Sequence, residues 1–187
     1  KQHFELRIRI PGWLSAPVPG DLYRYATTEK EVPVIEVNGK PVQYDVASGY
    51  AVVKRVWKKG DIVTMDLPMK VKRIVSNQAV KQNKNRIALQ YGPLVYCVEG
   101  ASDEFDAGGV IVPDGTAFEI SYEPSLLGGI NVLRFEAPVV TVSKDGLSVT
   151  TFRKKITAIP YFSWNNRGAS EMQVWLPSSI QKISINE

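Results

Sequence analysis

Side-chain branching sets the tightest limit on what this chain can fold into. Of its 187 residues, 23 are Val, 14 Ile and 8 Thr, against only 11 Leu and 12 Ala. β-Branched side chains are stiff at χ1, pack well on a pleated surface and serve helices poorly. The 12 Pro and 14 Gly are spread along the chain, so the apolar runs between them are short. The first run alternates strictly, with Phe4, Leu6, Ile8 and Ile10 against Glu5, Arg7 and Arg9. A period of two is that of a half-buried strand.

The same grammar continues. Pro11-Gly12 ends the first run, and a loop rich in proline follows. Val32 to Val37 leads through Asn38-Gly39 to Val42 and Tyr44, which is the signature of a type I′ hairpin. Tyr50 to Trp57 turns at Lys59-Gly60-Asp61 into Ile62 to Leu67. Residues 69–86 are basic and polar and read as a domain boundary or a crossing between sheets. Ile87 to Val98, broken by Gly92-Pro93, is apolar on both faces and predicts a strand pair covered on both sides. Further strands are expected at 110–112, 117–122, 131–135, 139–142, 147–152, 156–159, 172–176 and 180–185, with one short helical turn near Pro124 to Leu127. No segment holds a period of 3.6 over three turns. The fold class expected is all-β: two small antiparallel β-sandwiches of jelly-roll kind, residues 1–78 and 79–187, with the last strand as a candidate to return to the first.

Composition removes several chemistries. One cysteine, Cys97, leaves no internal disulfide, CxxC pair or zinc site of several thiolates. One histidine, His3, gives no HExxH motif and no multi-histidine metal site. No apolar run approaches the ~18 residues of a membrane helix, and no membrane partner is expected. Net charge is +4. The first 90 residues carry 16 Lys/Arg against 8 Asp/Glu; the remainder carries 7 against 11. These basic residues fall at strand ends and turns, so they read as solvated surface charge and not as a nucleic-acid footprint.

Longer strings carry more information than composition. FELRIRIPGW (Phe4 to Trp13), VNGKPV (Val37 to Val42) and GYAVVKRVWKKGD (Gly49 to Asp61) are followed by LPM (Leu67 to Met69). RIALQYGPLVYCVEG (Arg86 to Gly100) and TAIPYFSWNNRGASEMQVWLP (Thr157 to Pro177) complete the series. In this order they resemble the C-terminal β-sandwich region of glycoside hydrolase family 127, the β-L-arabinofuranosidase-like enzymes. The resemblance implies a helical barrel holding the active site, followed by two β-sandwiches. It also implies a cysteine nucleophile, a glutamate acid/base and zinc held by glutamate and cysteines, all on the barrel. Cys97, between Tyr96 and Val98 in an apolar run, reads as a small core residue. No catalytic residue and no metal ligand carries over, and zinc is expected only in the catalytic domain.

The chain therefore reads as a non-catalytic accessory region of a glycoside hydrolase, not an enzyme by itself. Its expected partners are the catalytic barrel domain and, in a dimer, a second copy. Trp13, Tyr161, Trp164, Asn165 and Arg167 are the candidate barrel-docking or sugar-contact residues. Aromatic rings and Arg supply much of the energy of specific interfaces. The same rings suit apolar sugar faces, while Asn and Arg hydrogen-bond hydroxyls. The alternative reading is thus a carbohydrate-binding module for arabinose-containing plant oligosaccharides. Trp57 and Trp175, placed by strand alternation, read as core.

Overall fold

A computed structural model describes residues 1–15, 17–27, 29–100, 105–143, 145–166, 168 and 170–179. Arg167 and the strand expected at 180–185 lie outside the described residues. The structure is all-β with antiparallel pairing, as the branching and turn signals predict. The strands of the first half are β1 (Gln2–Arg9), β2 (Tyr23–Tyr25), β3 (Val34–Val37), β4 (Lys40–Pro41), β5 (Asp45–Ala47), β6 (Tyr50–Trp57), β7 (Val63–Asp66) and β8 (Val71–Ser76). Those of the second half are β9 (Arg86–Tyr91), β10 (Leu94–Glu99), β11 (Glu119–Glu123), β12 (Ile130–Val142), β13 (Val149–Pro160), β14 (Met172–Gln173) and β15 (Leu176–Pro177). The chain forms two compact units: Lys1–Val18 with Thr28–Lys70, and Pro19–Thr27 with Val71–Glu187.

The first unit pairs two three-stranded sheets, β1-β6-β5 and β4-β3-β7. Alternation puts Ala51 and Val53 of β6 and Ile35 and Val37 of β3 into one core with Ile10, Leu14 and Trp57. Trp57 is buried, stacks on Phe4 at 5.6 Å and donates its indole N–H to the Phe4 carbonyl. The Asn38-Gly39 turn takes the left-handed conformation at both residues, φ 52° and 72°. Asn38 then ties the β3–β4 hairpin to the connection between β6 and β7. Its amide donates to Asp61 Oδ1 and accepts from the Ile62 N–H, each at 2.9 Å.

The second unit is built on one sheet ordered β11-β12-β13-β10-β9-β8-β2, with β14 added on β10 and β15 on β9. Both faces are covered. Leu89, Tyr96, Leu133, Phe135, Val139 and Ile156 face one core, over which Ala107, Val110 and Val112 close. Cys97, Ile130, Val132 and Ile159 face a smaller one, with Leu126, Leu127, Trp164 and Met172 packed against it. Arg73 pins the loop beside the first core, donating to the carbonyls of Val112 and Pro113 and pairing with Asp114.

Two pairs of expected strands prove to be continuous. Residues 131–135 and 139–142 belong to β12, and 147–152 and 156–159 to β13. Pro138 does not break β12, because β11 pairs only as far as Arg134 and beyond it that flank carries a single bridge, Val110 opposite Val139. There only the Pro138 carbonyl is used, accepting from Ile111 N–H, so the missing proline N–H costs no ladder bond.

Two outcomes test this packing. A Cβ on Gly109 would lie 2.0 Å from the Val140 carbonyl oxygen, whereas one on Gly115 meets nothing within 4 Å. Gly109→Ala is expected to cost more than about 2 kcal/mol in thermal unfolding, and Gly115→Ala about 1 kcal/mol from its positive φ alone. The Asn38 amide, then the Lys58 N–H, hold the Asp61 carboxyl below its ordinary 3.8. A depressed folded pKa means this stability is full above the unfolded value and is lost as pH falls through the folded one. Asn38→Ala should therefore lower the unfolding temperature at pH 7 by more than at pH 2.

Candidate functional site

The second unit presents an aromatic turn where β13 ends. Pro160 fixes the exit with φ −56°, and Tyr161–Ser163 form one turn of 3₁₀ helix closed by Trp164 N–H to the Tyr161 carbonyl at 3.1 Å. Asn165 follows at φ 66°, a left-handed geometry that asparagine tolerates better than most residues. The Asn166 amide donates to the Ser163 carbonyl at 3.0 Å and to that of Trp164 at 3.4 Å, and the Asn165 N–H reaches Glu99 Oε1 at 3.4 Å. Glu99 is itself buried at the end of β10, whose Val98 pairs with Ala158 of β13. A strand-end carboxylate and a side-chain amide thus fix the turn from two sides.

This scaffold sorts the aromatic rings. Trp164 packs half-buried against Cys97, Ile130, Val132 and Ile159. Tyr161 stacks on it at 6.3 Å, with 15° between the planes, and is 48% exposed. Phe162 points furthest out, at 66% exposure. Ser163 Oγ and Trp164 Nε1 are buried without a hydrogen-bond partner among the described residues.

The structure therefore brings Tyr161, Trp164 and Asn165 into one turn. Trp13 belongs to the other unit, on a helical turn over Gly12–Ser15, half-buried against the core of Ile10, Leu14 and Trp57. Trp175 is half-buried and stacks on Tyr23 at 5.3 Å. Sequence reasoning missed Glu99, which lies 66 residues before the amide it accepts from. It also missed the apposition of Asp106 and Glu171. A hydrogen bond to Asp106, and then its charge, raise the Glu171 carboxyl above its ordinary range. Carboxyls in direct contact are closer than the about 5–9.5 Å that glycoside hydrolysis requires.

The zinc that the family resemblance implies does not fit the residues present. Cys97 is buried at 1% exposure inside β10, and no group of three His, Cys, Asp or Glu among the described residues could hold a metal ion. No described helix is long and apolar enough to cross a membrane.

Comparison with known proteins places this geometry. Residues 1–69 match the model of the β-L-arabinofuranosidase GH127 middle domain, and residues 71–177 that of the glycoside hydrolase family 127 C-terminal domain. A curated relative, the non-reducing end β-L-arabinofuranosidase of Bifidobacterium longum subsp. longum, is 28% identical over 181 residues, 90% of this chain and 25% of that protein. Among solved structures, a GH127 β-arabinofuranosidase superposes with a TM-score of 0.86 at 35% identity, covering 98% of this chain and 29% of its own. The GH127 β-L-arabinofuranosidase of Geobacillus stearothermophilus T6 gives 0.76 at 32%, covering 94% and 26%. The chain spans between a quarter and 29% of the length of these relatives. The two domain models follow one another along the chain in the order of their names, and on that ground the chain belongs to glycoside hydrolase family 127.

Proposed function

We propose that this chain is a non-catalytic β-sandwich region of a glycoside hydrolase of the β-L-arabinofuranosidase kind, and that it buttresses a helical-barrel catalytic domain. The observation that carries the reading is the tandem match of residues 1–69 and 71–177 to a middle and a C-terminal domain. The Tyr161–Asn166 turn supplies the docking element. Phe162 and Tyr161 stand exposed on a segment already fixed by Glu99 and Asn166. Rigid, exposed aromatic side chains favour binding because little conformational freedom is lost on contact. The thiolate and zinc chemistry that the resemblance implies belongs, in this reading, to the catalytic domain.

Two measurements test it. The purified chain, given an aryl β-L-arabinofuranoside, is expected to release no arabinose; turnover above the buffer blank would overturn the non-catalytic assignment. An antibody against the chain should detect, in source cells, a band several times larger than 20.8 kDa. A native band at 20.8 kDa would remove barrel support as the function.

A further inference from the structure

The basic residues of the first half are not all dispersed. Arg24, Lys84 and Arg86 converge with Arg73 on a groove of about 350 Å³ in the second unit, opposed by one carboxylate, Asp114. That volume lies at the lower end of the about 300–1,000 Å³ typical of small-ligand sites. We propose that this groove binds an acidic saccharide, gripping a uronate carboxylate with Arg24, Lys84 and Arg86 and its hydroxyls with neighbouring amides.

The groove exists because of how the chain is tied there. β2 pairs with β8 for three residues, and Asn77 N–H then bonds the Leu22 carbonyl at 2.6 Å. The connection to β9 is fixed by Ser76 Oγ donating to the Asn83 carbonyl, and by Asn85 at φ 58°. The Asn85 carbonyl accepts from both the N–H and the hydroxyl of Ser178, and Arg86 Nη1 donates to the Trp175 carbonyl. Four separate stretches of chain are therefore held in place before any ligand arrives.

The lining decides the ligand class. Arg73 is committed to Val112, Pro113 and Asp114, so it holds a wall. Arg24, Lys84 and Arg86 form no ion pair among the described residues. Gathering three cations that have no carboxylate partner among the described residues in one concavity is unfavourable until an anion enters. Arg24 and Arg86 each give one N–H to a backbone carbonyl, of Tyr25 and Trp175, and keep the rest of a guanidinium fork that matches a carboxylate. Asn77 is used internally, accepting from Ala79 N–H and donating to the Asp21 carbonyl. The side chains of Gln78, Asn83 and Asn85 have no such partner among the described residues, and each both donates and accepts, as sugar hydroxyls require. No aromatic ring lines the groove, so the stacking platform on which single-stranded nucleic acids depend is missing.

Calorimetric titration of the 187-residue chain with trigalacturonate tests the assignment. Its methyl ester, sodium sulfate and oligothymidylate serve as the comparison ligands. Trigalacturonate should saturate, bind at least about tenfold more tightly than the uncharged ester, and weaken as salt is raised. Arg24→Gln with Lys84→Gln should weaken it by at least about tenfold. The unfolding temperature should not move, since both side chains are exposed. The proposal fails if the acid shows no saturation up to about 10 mM, or if the ester binds equally well. It fails equally if sulfate or oligothymidylate binds as tightly as the trisaccharide, or if the double variant binds like the parent chain.

Discussion

The ladder between β12 and β13, running from Leu133 opposite Ala158 to Val142 opposite Val149, is the element on which the second unit depends. Because the side chains of β12 alternate, one face supplies Leu133, Phe135 and Val139 to the larger core and the other supplies Ile130 and Val132 to the smaller. Exposing either face to water would leave the other to support the sheet alone. The position of β13 also decides where function can sit. The strand ends at Pro160, and the aromatic turn begins at the next residue.

Turn chemistry plays the corresponding part in the first unit. Its sheets have only three strands each, and beyond the eight-residue ladder of β1 with β6 the pairings are short. One amide side chain, Asn38 in the β3–β4 turn, bonds Asp61 and Ile62 of the β6–β7 connection and fixes the spacing of the two. The indole of Trp57 does the same inside the core, bonding the Phe4 carbonyl of the neighbouring strand.

Legibility in the sequence followed locality. Asn38-Gly39 and Gly92-Pro93 announced hairpins because turn geometry is set by two or three adjacent residues, whereas the turn at Gly60 carries the chain from β6 to β7 in a different sheet. Trp57 could be assigned to a core from alternation and Cys97 from the apolar run around it, whereas Trp175, read by alternation in the same way, is half-buried. β2 could not be seen: three residues carry no period, and their partner β8 lies in a stretch that reads as a polar connector. Pro138 suggested a break because sequence does not reveal where a flank of a strand carries one bridge in place of a full ladder. At the aromatic turn, Tyr161, Trp164 and Asn165 are contiguous and stood out. Glu99, which holds them, is distant in sequence and became visible only through the β10–β13 pairing. The cationic groove was illegible for the same reason, since it draws on five separated segments.

The short pairing of β2 with β8 has a consequence for how the two units can be separated. Residues Pro19–Thr27 belong to the second unit, while chain on either side of them belongs to the first. No single cut can therefore release both units whole. Cleavage after Lys70 would leave the second without its edge strand, and the orphaned β2 would expose backbone groups able to pair with another molecule. During synthesis the same segment emerges long before β8, and it must wait unpaired while all of Thr28–Lys70 is made. The stretch that matches the family's middle domain, residues 1–69, thus contains a strand that pairs within the second unit.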